Sequence, residues 1–186
     1  MGNKSTKVDM THNELVELQK KTYLTPEEIN FLYDRFKRIS SSGKDDGIID
    51  FEEFRQALGL REGYFYEQFF SLFDGNKDGY INFDEFVSAV AMMSSKAPQK
   101  DRMQLLFRFY DNNNDGFITR KELHKMVEAF LYQNYITLSS DEIDSIVNET
   151  FRVSDVNNDG SIEFIEFYNA CSVQLPVDFS PIIKKM

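Results

Sequence analysis

The sequence predicts an all-α protein of four helix-loop-helix hands in two paired lobes, with short two-stranded β pairs between the loops. Three observations carry that expectation. A phrase of the form Asp-x-Asn-x-Asp-Gly-x-Ile-x-x-x-Glu occurs three times, as DGNKDGYINFDE at 74–85, DNNNDGFITRKE at 111–122 and DVNNDGSIEFIE at 155–166. The stretches between these loops, 86–110 and 123–154, hold 25 and 32 residues, room for an exiting helix, a link and an entering helix. Apolar residues also recur ahead of the loops at helical spacing.

Each entering helix can be tested by register, because its packing face should carry apolar residues one, four, five and eight positions before the loop. Phe73, Phe70, Phe69 and Tyr66 meet the test before Asp74, and Tyr110, Phe107, Leu106 and Met103 meet it before Asp111. Before Asp155 only Phe151 and Val147 are apolar, Ser154 and Thr150 being polar, so that helix is expected to pack less tightly. Ser139 and Glu142 form a capping box at its start.

A fourth, irregular hand precedes these. The string DDGIIDFEEF (45–54) has the Gly, Ile and Glu of a loop but no obvious beginning. Twelve residues counted back from Glu53 reach Ser42, which puts Ser41, Arg38, Lys37 and Asp34 on the packing face. A start at Ser40 gives Ile39, Phe36 and Leu32 instead, with only Arg35 polar, so the loop is read as fourteen residues, Ser40 to Glu53. Thr25 as N-cap, Pro26 at the first helical position and Glu28 as box partner start the helix before it. The expected divisions are an N-terminal segment 1–22, a first hand pair 23–96, a second pair 97–174 and a tail 175–186.

Composition narrows the function classes. A net charge of −10 speaks against nucleic-acid binding, which needs basic patches, and favours a protein that gathers cations. The single cysteine, Cys171, rules out an internal disulfide and sits at helical spacing from Phe164 and Phe167, which predicts a buried core thiol. With no long apolar span, the chain reads as cytoplasmic. His12 and His124 are isolated from any partner that would make them catalytic or zinc-binding, and no enzyme is expected.

The repeated loops have the chemistry of Ca²⁺, a hard cation that takes six to eight oxygens from loop positions 1, 3 and 5, the carbonyl at 7 and a bidentate Glu at 12. The candidate ligands are Asp74, Asn76, Asp78, the Tyr80 carbonyl and Glu85; Asp111, Asn113, Asp115, the Phe117 carbonyl and Glu122; and Asp155, Asn157, Asp159, the Ser161 carbonyl and Glu166. Gly79, Gly116 and Gly160 occupy the sharp turn at position 6. Ile81, Ile118 and Ile162 at position 8, with Ile49 in the first hand, should pair neighbouring loops and make binding cooperative within a lobe. In the first loop Ser40, Ser42 and Lys44 replace acids, leaving Asp46, Asp50 and Glu53. Two readings stand side by side: a weak metal site using Ser40, Asp46 and Glu53, or an empty loop kept to pair with the second.

The 18 Phe, together with Met92, Met93, Met103 and Met126, suit a sensor whose hands open to expose a groove for an amphipathic helix. The opening Met-Gly-Asn-Lys-Ser-Thr fits N-myristoylation at Gly2, with Thr6 at the small-hydroxyl position. One acyl chain, helped by Lys4 and Lys7, gives weak and reversible peripheral membrane association.

The opening MGN, the helix LTPEEINFLYDRFKRIS, the repeat FRFYDNNNDGFITRKEL and the first loop ending DDGIIDFEEF resemble the calcineurin B and calcineurin B-like branch of the EF-hand superfamily over almost the whole chain. The long first loop and the 25- and 32-residue gaps are most similar to the plant-type calcineurin B-like sensors, while three regular later loops are more typical of calcineurin B. The resemblance implies a non-catalytic regulatory subunit that grips a helix of a serine/threonine protein phosphatase catalytic subunit or of a protein kinase. The tail QLPVDFSPIIKKM lacks the Phe-Pro-Ser-Phe motif of the plant-type group, and Ile182 and Ile183 offer an apolar segment that can cover the groove. Neuronal calcium sensors are a weaker similarity, because the Cys-Pro pair of their first hand is absent. A membrane-recruited regulator of that kind, or a cytosolic calcium buffer, are the alternative readings.

Overall fold

A computed structural model describes residues 10–43 and 46–174, without the side chains of 172–174. Gly2, Lys44 and the tail with Ile182 and Ile183 lie outside the described residues. Nine helices are described: α1 His12–Lys21, α2 Pro26–Ser40, α3 Phe51–Leu58, α4 Tyr64–Phe73, α5 Phe83–Met93, α6 Gln99–Tyr110, α7 Arg120–Gln133, α8 Ser140–Ser154 and α9 Phe164–Gln174. Two short strands, β1 Phe117–Thr119 and β2 Ser161–Glu163, pair antiparallel with Ile118 opposite Ile162. The loops alternate with helices as the repeats require: α2/α3, α4/α5, α6/α7 and α8/α9 are the four hands. No helix among the described residues is long and apolar enough to cross a membrane.

Local chemistry sets the helix starts. Six helices begin with a capping box, in which the N-cap side chain accepts from the N3 amide while the N3 glutamate accepts from the N-cap amide. The pairs are Thr11/Glu14, Thr25/Glu28, Asp50/Glu53, Asn82/Glu85, Thr119/Glu122 and Ser139/Glu142. In three of the hands the cap partner is also the twelfth loop residue, so one side chain both starts the exiting helix and closes the loop. Helix α1 adds to the hands an element that their repeats do not require. Within the N-terminal segment 1–22, Thr11 and Glu14 start a helix whose Leu18 is buried in the N-terminal core.

The N-terminal core is an aromatic lattice. Phe54 lies 4.8 Å from Phe73 and 6.0 Å from Phe69 between ring centroids, and Phe73 reaches Phe86 at 6.0 Å. Such pairs contribute about 0.5–1.5 kcal/mol each beyond their area burial. The second core gathers Met103, Phe107, Ile118, Val147, Phe151 and Ile162. Helix α6 serves both. Met103 and Phe107 face the second core, as the register predicts, but Leu105 and Phe109 are equally buried and pack on the N-terminal one. The register test asks about one face only, so it cannot show this second contact.

In the first pair, β structure is reduced to a single antiparallel bridge between Ile49 and Ile81, where the repeats predict a two-stranded pair.

Candidate metal sites

The three regular loops repeat one hydrogen-bond pattern. The position-1 aspartate accepts from the amides of positions 5 and 6: Asp74 from Asp78 and Gly79 (3.1 and 2.9 Å), Asp111 from Asp115 and Gly116 (3.2 and 3.0 Å), Asp155 from Asp159 and Gly160 (3.1 Å each). The position-3 asparagine Oδ1 accepts from the position-5 amide at 2.8 to 2.9 Å, and the position-5 carboxylate accepts from the amides of Tyr80, Phe117 and Ser161 at 2.9 Å. Backbone geometry makes this possible. Gly79, Gly116 and Gly160 have φ of +85°, +91° and +89°, where a side chain would be strained. Position 4 is left-handed as well, at Lys77, Asn114 and Asn158. Asparagine tolerates that region, so two of these three carry a legible signal.

The twelfth residues differ. Glu85 accepts from Asn76 N at 3.2 Å and from Asn82 N at 3.0 Å, and Glu166 from Val156, Asn157 and Glu163 at 2.9, 3.2 and 3.0 Å. Each therefore spans the loop from its end to its beginning. Glu122 instead keeps its bonds on Thr119, at 2.9 Å to the amide and 2.8 Å to the hydroxyl.

These donors suit a hard cation. Each loop brings three carboxylates, one amide oxygen and a backbone carbonyl within twelve residues. Asp74, Asp111 and Asp155 are buried, and burying carboxylate charge without a cation is unfavourable even when amides donate to it. The cost registers at Asp111, whose carboxyl is held above its ordinary range by burial, with the charges of Asp115 and Glu122 acting in the same direction. Asp159 is the opposite case: the hydroxyl and amide of Ser161, then Asn157, hold it below the usual range. Among the described residues no three His, Cys, Asp or Glu side chains converge on one point.

The first loop falls into register from its own contacts. Asp46 accepts from Ile48 N at 3.3 Å, the contact a position-5 aspartate makes to position 7, and Gly47 follows with φ +80°. Ile49 is then position 8 and Glu53 position 12, so the two extra residues fall between Ser40 and Asp46. Ser40, where the register places the loop start, is buried as the three first-position aspartates are. Its hydroxyl lies 3.5 Å from the Lys37 carbonyl, while Ser41 donates to Lys37 O at 2.6 Å and Ser42 to Ile39 O at 2.8 Å. All three hydroxyls face back to the end of α2. Glu53, buried, accepts from Gly43 N and Asp50 N at 3.0 Å each and closes the loop with protein donors.

Beside the second hand pair lies an apolar groove of about 590 Å³, walled by Phe69 and Leu72 of α4, Leu123 and Val127 of α7, and Phe167 and Cys171 of α9. Cys171, expected in the core, is half-buried in this wall, and burial pushes its thiol up, away from the reactive thiolate. Residue spacing gives no sign of the groove, because it is built from helices distant in sequence.

Comparison with known proteins places these features. Residues 100–172 match the EF-hand domain pair family and residues 65–93 the EF hand domain family. The type 2 calcineurin B of Dictyostelium discoideum is 35% identical over 175 residues, 90% of this chain and 93% of that protein. The calcineurin B of Naegleria gruberi is 33% identical over 161 residues (87% and 88%), and calcineurin B-like protein 5 of Arabidopsis thaliana 31% over 155 residues (82% and 76%).

Proposed function

The chain belongs to the calcineurin B family of EF-hand proteins, calcium-binding and without catalytic activity, and from that premise we propose that it is a calcium-sensing regulatory subunit of a serine/threonine protein phosphatase. One observation carries the sensor reading beyond the family: the apolar groove between α4, α7, α8 and α9, which suits the apolar face of a partner helix. Three ions are bound, one each by Asp74–Glu85, Asp111–Glu122 and Asp155–Glu166, through the side-chain ligands and the carbonyls of Tyr80, Phe117 and Ser161. When bound, the metal would supply positive charge to be shared by the first aspartate, the third asparagine, the fifth aspartate and the twelfth glutamate of each loop.

The first loop is a structural partner of the second. The hydroxyls of Ser40, Ser41 and Ser42, which face back to the end of α2, favour this over a weak metal site at Ser40, Asp46 and Glu53. The hand pairs 23–96 and 97–174 act as the two lobes, and myristoylation of Gly2 would add weak, reversible membrane attachment.

A protein kinase partner is the second reading. The 31% identity to calcineurin B-like protein 5 and the lengthened first loop favour it. A labelled helical peptide from a phosphatase catalytic subunit and another from a kinase, each titrated with and without calcium, test the proposal. Calcium-dependent binding of the phosphatase helix supports it, and preference for the kinase helix moves the partner to the second reading. Binding of neither helix by the calcium-loaded chain leaves a buffer or a membrane-recruited regulator.

A further inference from the structure

The third hand differs from the other regular ones in two ways that belong together. Its twelfth residue, Glu122, keeps its hydrogen bonds on Thr119 and does not reach the start of its loop. Its exiting helix, α7, is also held by the link 59–63 between α3 and α4 and by the first turn of α4. Arg61 is the centre of that hold. Its amide donates to Gln133 Oε1 at 3.1 Å and its guanidinium donates to the Tyr132 carbonyl. The same guanidinium lies 3.6 Å from the Tyr132 ring centroid and 4.5 Å from that of Tyr135. Around it, Lys125 sits 3.6 Å over the Tyr64 ring, and Phe65 packs on Phe130 at 6.1 Å.

Tyr135 shows that this clasp is built at some strain. It follows the end of α7 with φ +59°, a left-handed position where glycine or asparagine is the ordinary choice, and it is 81% exposed. Core packing gives no reason for a tyrosine there. The ring on Arg61 does. A strained residue whose ring reaches across to another hand pair points to a role for that contact.

We propose that Arg61, gripped by Tyr132 and Tyr135, is a latch that holds the exiting helix of the third hand in the position where Glu122 rests on Thr119 and couples calcium binding there to the N-terminal hand pair. The proposal rests on the calcium reading of the Asp111–Glu122 loop. To ligate with both oxygens, Glu122 would have to bring an oxygen to the start of its loop, as Glu85 and Glu166 do while still bonded to their position-9 amides, and the first turn of α7 would move with it. That motion loads the latch. Either the latch opens, so that third-loop affinity is lowered by its strength, or it drags the α3–α4 link.

The test uses the position-6 glycine amides, each bonded to the first aspartate of its loop, as site-specific NMR reporters: Gly79, Gly116 and Gly160. The full chain and the Arg61→Ala and Tyr135→Gly variants are titrated with calcium. Arg61→Ala should lower the Gly116 midpoint about fivefold, the value of a cation–π contact with its hydrogen bonds, and move Gly79 much less. Tyr135→Gly, which removes the ring and relieves the backbone, should act in the same direction to a smaller extent and guards against misfolding of the first variant. An unchanged or raised Gly116 midpoint in both folded variants overturns the latch. If Gly116 in the parent chain does not respond to calcium at all, the calcium reading of this loop fails, and the latch with it.

Discussion

Ile49 and Ile81 exchange both backbone hydrogen bonds, N to O at 2.9 Å in each direction, and both side chains are fully buried. The first loop is thereby fixed to the second through position 8, whatever either binds. Replacing Ile49 by alanine should destabilise the chain by about 2–5 kcal/mol and weaken calcium binding in the second loop. Denaturant unfolding and the Gly79 titration check this; a second loop indifferent to Ile49→Ala would show the bridge to be incidental.

Glu53 closes the first loop on Gly43 and Asp50. Glu53→Ala should cost about 1–3 kcal/mol, since two amides lose their buried acceptor, while the number of calcium ions bound stays the same. A lost ion in a calorimetric titration would show that the loop is a metal site after all.

Protons should displace calcium from the third loop before the fourth. The Asp111 carboxyl is held above the ordinary aspartate value of 3.8, chiefly by burial, so as pH falls it takes its proton first. Its ionisation opposes the fold increasingly as pH rises above that value and in full above the raised one. Asp159 is held below 3.8 by Ser161, so what it adds is present above the unfolded value and is lost only at lower pH. Titrating pH at fixed calcium should release the Gly116 signal at higher pH than the Gly160 signal; simultaneous release, or the reverse order, contradicts this.

Val127 lines the apolar groove on α7 and takes no part in a loop. Val127→Glu should weaken calcium-dependent binding of a partner helix at least about tenfold by placing charge in an apolar contact, with calcium stoichiometry unchanged. Fluorescence anisotropy of a labelled helix reads the first quantity and calorimetry the second.

Much of this is legible in the residues because loop chemistry is local. Asp, Asn, Asp, Gly, Ile and Glu at fixed spacing specify the turn and the donors, and the loop start that helix register selects falls on a buried residue, Ser40. What stays hidden is long-range. The second buried face of α6, Leu105 and Phe109, needs the other lobe to exist before it has meaning. The grip of Arg61 on Tyr132 joins residues 71 apart in sequence, and no spacing announces it. Helix α1 does carry a local signal, Thr11 with Glu14, the same capping box that starts the hands, but it stands outside the repeats that organise the rest of the chain.

The central claim is that three loops bind calcium, each through its own twelfth glutamate, while the first does not. A calorimetric titration of the metal-free chain measures it most directly. The prediction is three ions per chain, falling to two in each of Glu85→Gln, Glu122→Gln and Glu166→Gln, and remaining three in Glu53→Gln. A count other than three, or a Glu122→Gln chain that still binds three ions with unaltered affinity, would contradict it.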